Sequence, residues 1–175
     1  RLDGHRACTG IQGRRVGQVT RRLVLCSTSR YRRDLLARLQ LPFESAAPDL
    51  DESPLAGETV AALTERLALA KAQALAAGFP NAVLIGSDQA ASCDGRLLGK
   101  PGTRELAIEQ LRSAAGHEVE FHTAVAVLDT ASGQHRSERD VTRVRFRELH
   151  EREIERYTDR EAALDCAGSF KCEGL

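Results

Sequence analysis

The chain has 175 residues with 25 basic and 25 acidic side chains, no methionine and no tryptophan, and its length suits one α/β domain with a sizeable core. Nine of the basic residues but only one acid fall in the first 33 positions, so the remainder is mildly acidic, which argues against a broad nucleic-acid surface. No apolar run approaches the length of a membrane span, so no membrane partner is expected.

Residues 1–21 have no sustained period and lack the apolar centre of a secretory signal; they are expected to form a disordered upstream extension. Residues 23–28, Leu-Val-Leu-Cys-Ser-Thr, read as a short apolar strand. Residues 29–41 read as a helix with Ser29 as its N-cap. A second short strand, residues 43–48, leads into an acidic loop bearing Pro54. Residues 58–77 form a long helix in which Val60, Leu63, Leu67, Ala70 and Ala74 recur at helical spacing. The apolar run 82–87 is the next strand and is expected to end on Asp88, with a hairpin turning at Asp94-Gly95.

Residues 103–115 read as a helix capped by Thr103. Two long strands, 117–130 and 133–149, flank a turn at Ala131-Ser132-Gly133, and residues 150–161 form an exposed helix. Strands and helices alternate early, which predicts a mixed α/β sheet in one domain without internal repeats. The five cysteines (Cys8, Cys26, Cys93, Cys166, Cys172) are odd in number and show no CxxC pairing. They read as small hydrophobes in a reducing, cytoplasmic protein rather than as a zinc site or disulfide framework.

Chemistry concentrates on a few side chains. Only three of the 25 basic residues are lysines: Lys71, Lys100 and Lys171. Lys71 falls on the apolar stripe of the long helix, where a solvated charge is not expected. Lys100 follows the hairpin, and Lys171 shares a strand face with Ser169 and Glu173 if that stretch is extended. Each alone also fits an ordinary solvated or snorkelling charge; together they suit a polyphosphate. Asp88 closes a core strand where open α/β sheets place their ligands, and Glu52 follows the second strand. Two such carboxylates could hold a divalent metal, and one could orient a water for attack on phosphorus. Glu52 alone also reads as a solvated loop acid. Ser27, Thr28 and Ser29 stand at a helix N-terminus with Arg32 one turn in, a setting that favours phosphate. Neither GxxxxGK[ST] nor GxGxxG occurs. The five histidines show no ligand spacing and are expected to serve packing.

The segments Leu23–Leu36, 49–52, 67–75, 85–89, 97–101 and 167–174, in this order, resemble the Maf family of nucleoside triphosphate pyrophosphatases. The resemblance runs from about Leu23 to the last residue. It implies a mixed, twisted α/β sheet with flanking helices and a central nucleotide cleft, similar to the inosine triphosphate pyrophosphatases. It also implies hydrolysis of a nucleoside triphosphate to the monophosphate and pyrophosphate, with a divalent metal such as Mg²⁺ or Mn²⁺. Asp88 matches the family's catalytic proton acceptor; Ser27, Arg32, Glu52, Lys71 and Lys100 match its phosphate- and metal-handling positions.

One branch of the family handles dTTP and UTP and the other 7-methyl-GTP. This chain resembles the second at Tyr31, Gln89 and Glu173. Methylation at N7 leaves guanine cationic, so an aromatic face and a carboxylate are natural partners for it. The alternatives are a dTTP/UTP pyrophosphatase and a non-enzymatic regulator of septum formation. Arg30 stands where the family has proline, and the family continues past Glu173-Gly174. Residues 22–175 are therefore expected to be a Maf-like domain incomplete at its C-terminus. A nucleotide is the expected partner, with a homodimer an open option.

Overall fold

Strict alternation of burial from Ala82 to Ala90 marks a strand with one face under a helix. In the computed structural model, which describes residues 21–160 and 163–171, that strand is the centre of the fold. The elements are β1 (Arg22–Leu25), α1 (Arg30–Ala37), β2 (Glu44–Ser45), α2 (Val60–Leu75), β3 (Ala82–Cys93) and β4 (Arg96–Leu98). They continue with α3 (Arg104–Ala114), β5 (Glu118–Asp129), β6 (His135–Arg145) and α4 (Glu151–Arg160). Five strands run in the order β2-β1-β3-β5-β6, and β4 pairs with the far end of β3. β1 is parallel to β2 and β3, whereas β5 is antiparallel to both of its neighbours, β3 and β6, and β4 folds back antiparallel on β3. The mixed α/β class read from the sequence is the observed one. Among the described residues no helix is long and apolar enough to cross a membrane.

Helix α2 lies on the sheet because of one glycine. A Cβ on Gly86 would stand 2.0 Å from the carbonyl oxygen of Ala68 and 3.0 Å from the amide nitrogen of Ala72. Only a residue without a side chain lets helix and strand approach so closely. The buried face of α2 is Leu63, Thr64, Leu67, Ala68, Lys71 and Ala72. The stripe expected from the sequence is displaced by about one position, since Ala74 is exposed. The small residues face the strands: Ala68 packs with Ala124 and Ala126, and Ala72 with Val24, Leu84 and Leu128.

Several boundaries differ from the sequence reading. β3 does not end at Asp88 but runs to Cys93, because β5 pairs with it over its whole length and β4 joins at Ala91. What ends near Asp88 is β1, whose last partner on β3 is Ile85. α1 stops at Ala37 rather than residue 41, and Leu35, Leu39 and Leu41 are exposed, so little packing holds a further turn. The N-caps Ser29, Thr59 and Thr103 each accept a hydrogen bond from an amide three residues on.

Candidate active site

Where β1 stops, β3 loses a neighbour on one flank while its α2-facing side chains continue, and Asp88 is the first polar one. It is only 6 % exposed. The charge is met by Lys71, itself 5 % exposed, whose Nζ donates to Asp88 Oδ1 at 2.6 Å. The close contact at Gly86 explains this reach: it brings the turn of α2 that carries Lys71 over the part of β3 that carries Asp88. The same ammonium lies 3.0 Å from Glu52 Oε2, on the loop after β2. One buried lysine thus joins two carboxylates from separate loops and strands.

Glu52 is held from behind. Glu58 accepts from Arg66 at 2.6 and 2.8 Å and from the Leu55 amide at 3.0 Å, while Arg66 also donates to the Ser53 carbonyl at 3.1 Å. Arg66 and the Leu55 amide hold the Glu58 carboxyl down at about 2. The third cation is Arg32. Burial pulls its pKa down, and the nearby charges of Asp88 and Glu52 oppose that pull. Its charge therefore sits in the same electrostatic neighbourhood as the two acids.

Ser27 and Ser29 flank the N-terminus of α1. Ser27 is buried and its Oγ accepts from the Ser29 amide at 3.1 Å, while Ser29 Oγ accepts from the Arg32 amide at 3.4 Å. Both hydroxyls keep donor capacity beside free helix amides, the arrangement that receives phosphate. Tyr31 is half-buried on the same helix, and the Arg30 guanidinium stands 4.9 Å from its ring centroid and donates to its hydroxyl at 3.2 Å. The residue that replaces the family's proline thus places a cation on the tyrosine face.

The structure does not bring every expected residue here. Gln89 follows Asp88 in an unbroken strand, so it points to the opposite face, where its Nε2 donates to Thr123 Oγ1 at 2.9 Å. Lys100 is exposed in the turn after β4. Residues 167–169 form a 3₁₀ turn rather than extended chain, with Ser169 at φ 55° and 0 % exposed. Ser169 Oγ donates to Gln110 Oε1 at 2.6 Å, and the Lys171 amide donates to the Tyr157 hydroxyl at 3.1 Å, so the expected common face of Ser169 and Lys171 is absent. Glu173 lies outside the described residues. Burial pushes the Cys26 thiol up to about 11, in keeping with its reading as an inert core residue.

Sequence reasoning missed Arg66 and Glu58, which carry no motif and matter only because they fix the loop of Glu52. It also passed over His122. That residue is 9 % exposed and stands on β5 opposite Ala90, on the Asp88 side of the sheet.

The fold defines an α/β protein with an open mixed sheet and a site in which two carboxylates share one buried lysine. Solved structures of the Ham1 protein of Staphylococcus aureus and of a HAM1 protein from Coxiella burnetii share this fold. The first aligns with a TM-score of 0.51 at 15 % identity over 70 % of each chain. The second aligns with a TM-score of 0.50 at 16 % identity over 70 % of this chain and 71 % of that one. Residues 22–175 match the family described as Maf-like protein, and the chain belongs to the Maf family. A Polaromonas relative named 7-methyl-GTP pyrophosphatase is 58 % identical over 89 % of this chain and 71 % of its own length. Relatives of the same name from Xanthomonas oryzae and Pseudomonas aeruginosa are each 54 % identical, over 88 % and 87 % of this chain and 80 % of their own lengths.

Proposed function

We propose that this protein is a metal-dependent nucleoside triphosphate pyrophosphatase that takes 7-methyl-GTP, or a related modified nucleotide, to the monophosphate and pyrophosphate. The observation that carries the reading is Lys71 joined to both Asp88 and Glu52, with the charge of Arg32 beside them. A buried lysine–aspartate pair at a strand edge, with a half-exposed acid on the same ammonium, is costly to keep as mere packing. The names of the curated relatives support the choice of substrate.

Asp88 takes the proton of the attacking water, since it is a buried carboxylate with lone pairs beyond the one Lys71 engages. Lys71 and Arg32 meet the phosphate charge, and Ser27, Ser29 and the α1 amides hold a phosphate end. Glu52 and Asp88 are hard oxygen donors on one small volume, and two carboxylates suit an ion that fills its remaining positions with phosphate oxygens and water. When bound, Mg²⁺ or Mn²⁺ would neutralise phosphate charge and acidify water. Tyr31 offers an aromatic face to the cationic base, and Glu173 is the carboxylate that the family resemblance assigns to it.

Pyrophosphate release across 7-methyl-GTP, GTP, dTTP, UTP and ATP, with Mg²⁺ or Mn²⁺ and with EDTA, tests this. The highest kcat/KM is expected for 7-methyl-GTP, with EDTA abolishing turnover. A preference for dTTP or UTP would move the chain to the other branch, and no release from any nucleotide would refute the enzymatic reading.

A further inference from the structure

The expectation that all five histidines serve packing meets one exception. His122 Nδ1 is buried and has no hydrogen-bond partner among the described residues. Its other nitrogen, Nε2, lies 3.4 Å from Glu120 Oε2, and Glu120 in turn accepts from Arg143 Nε at 3.0 Å. With the ring proton on Nε2, towards the Glu120 carboxylate, Nδ1 is an acceptor. An acceptor stranded in this way destabilises the fold unless something donates to it.

The register says on which face of the sheet that ring stands. Asp88 pairs with Ala124 and Ala90 with His122, so His122 stands one diagonal step from Asp88 on the same face of the sheet. Diagonal neighbours in an antiparallel pair have Cα atoms about 7–8 Å apart, a span across which two side chains can share one molecule between them. A buried water is retained only where at least two polar groups hold it. Asp88 provides the second, because Lys71 occupies only one of its oxygens.

We infer that His122 is a water-positioning residue: Nδ1 and the Asp88 carboxylate hold one water between them, and this is the water that Asp88 deprotonates. The inference rests on the pyrophosphatase reading for the fate of the water, but not for its position. With one O–H donated to Nδ1 and the other to Asp88, the water presents a lone pair to the α-phosphorus and loses its proton to the carboxylate. As its oxygen bonds to that phosphorus, the bond from the α-phosphorus to the bridging oxygen breaks and pyrophosphate leaves with the electron pair. Asp88 becomes neutral, and the imidazole keeps its protonation state.

Two measurements test this. A crystal structure of the nucleotide-free protein that shows ordered water is expected to place one within hydrogen-bond distance of both His122 Nδ1 and Asp88. Pyrophosphate release by His122→Leu should then fall by about 10- to 100-fold in kcat with KM unchanged, since misplacing a reacting group costs that much. Its urea midpoint should hold or rise, because an apolar replacement removes the stranded acceptor. His122→Asn, whose amide oxygen can stand near the place of Nδ1, should recover most of the rate; a purely structural histidine would lose stability rather than show this rescue. If the leucine variant does not fold, the asparagine variant and the water position decide. Nδ1 bonded to a protein group, or wild-type kcat in the leucine variant, overturns the proposal. A bridging water in a protein that releases pyrophosphate from no nucleotide supports the water site and overturns the functional reading instead.

Discussion

Replacing Lys71 with methionine keeps the length and apolar stem of the side chain and deletes its charge. In the native protein that charge offsets Asp88, which is 6 % exposed, at 2.6 Å, and half-exposed Glu52 at 3.0 Å. Glu52 can return to water, so its share is that of a surface pair, about 0–1 kcal/mol. Asp88 has no such escape. Removing one partner of a buried pair leaves the other uncompensated and costs about 3–5 kcal/mol. For a chain of this size each kcal/mol moves Tm by about 2–4 °C, so the variant should melt roughly 6–20 °C below wild type. The double variant Lys71→Met with Asp88→Asn should recover most of the loss, because a neutral pair strands no charge. Adding Mg²⁺ or Mn²⁺ should raise the Tm of Lys71→Met more than that of wild type, as the ion takes the place of the ammonium between the two acids. Thermal unfolding followed by far-UV circular dichroism measures all three. A single variant within about 1 kcal/mol of wild type, the range of an exposed pair, would refute the buried lysine–carboxylate core of the site.

Gly86→Ala should destabilise by about 1–3 kcal/mol or more through overpacking against Ala68 and should cut kcat by shifting Lys71, whereas Gly78→Ala, with open space around it, should do neither. Urea midpoints and turnover of the two variants check this. Tyr31→Ala should lower the kcat/KM preference for 7-methyl-GTP over GTP by several-fold to tens-fold, the worth of a cation–π contact of about 0.5–2 kcal/mol. Arg30→Ala should raise that preference, since it clears a cation from the same ring. Glu58 is held at about 2, below its unfolded value, so its ion pair with Arg66 stabilises the loop above that unfolded value and is lost as pH falls towards 2. Glu58→Gln should remove this dependence, which a fluorophore attached at Ser53 would report across an acid titration.

Most of the architecture was legible because it is local. The hydrophobic spacing of α2, the caps at Ser29 and Thr103 and the Asp94-Gly95 turn each announce themselves within a few residues. Lys71 was legible too, as a charge on an apolar stripe, and the structure finds it buried on Asp88. The extent of β3 was not. Nothing between Gly86 and Cys93 shows that β5 stays paired beyond the point where β1 stops, so Asp88 looked like a strand end. Gln89 was misplaced for the same reason, since only an unbroken strand sends consecutive residues to opposite faces. Ser169 resisted because its positive φ and its bond to Gln110 are tertiary outcomes of a short glycine-punctuated stretch. His122 was dismissed for lacking ligand spacing, and only the register sets it beside Asp88.

The most direct test of Asp88 as the base of a pyrophosphatase follows 7-methyl-GTP and Mg²⁺ by ³¹P NMR with wild-type protein and with Asp88→Asn. Wild type should give 7-methyl-GMP and pyrophosphate in equal amounts. The variant should bind the nucleotide and turn over about 10²–10⁴-fold more slowly, the contribution of a general base. Release of orthophosphate in place of pyrophosphate, or near-normal turnover in the asparagine variant, would contradict it.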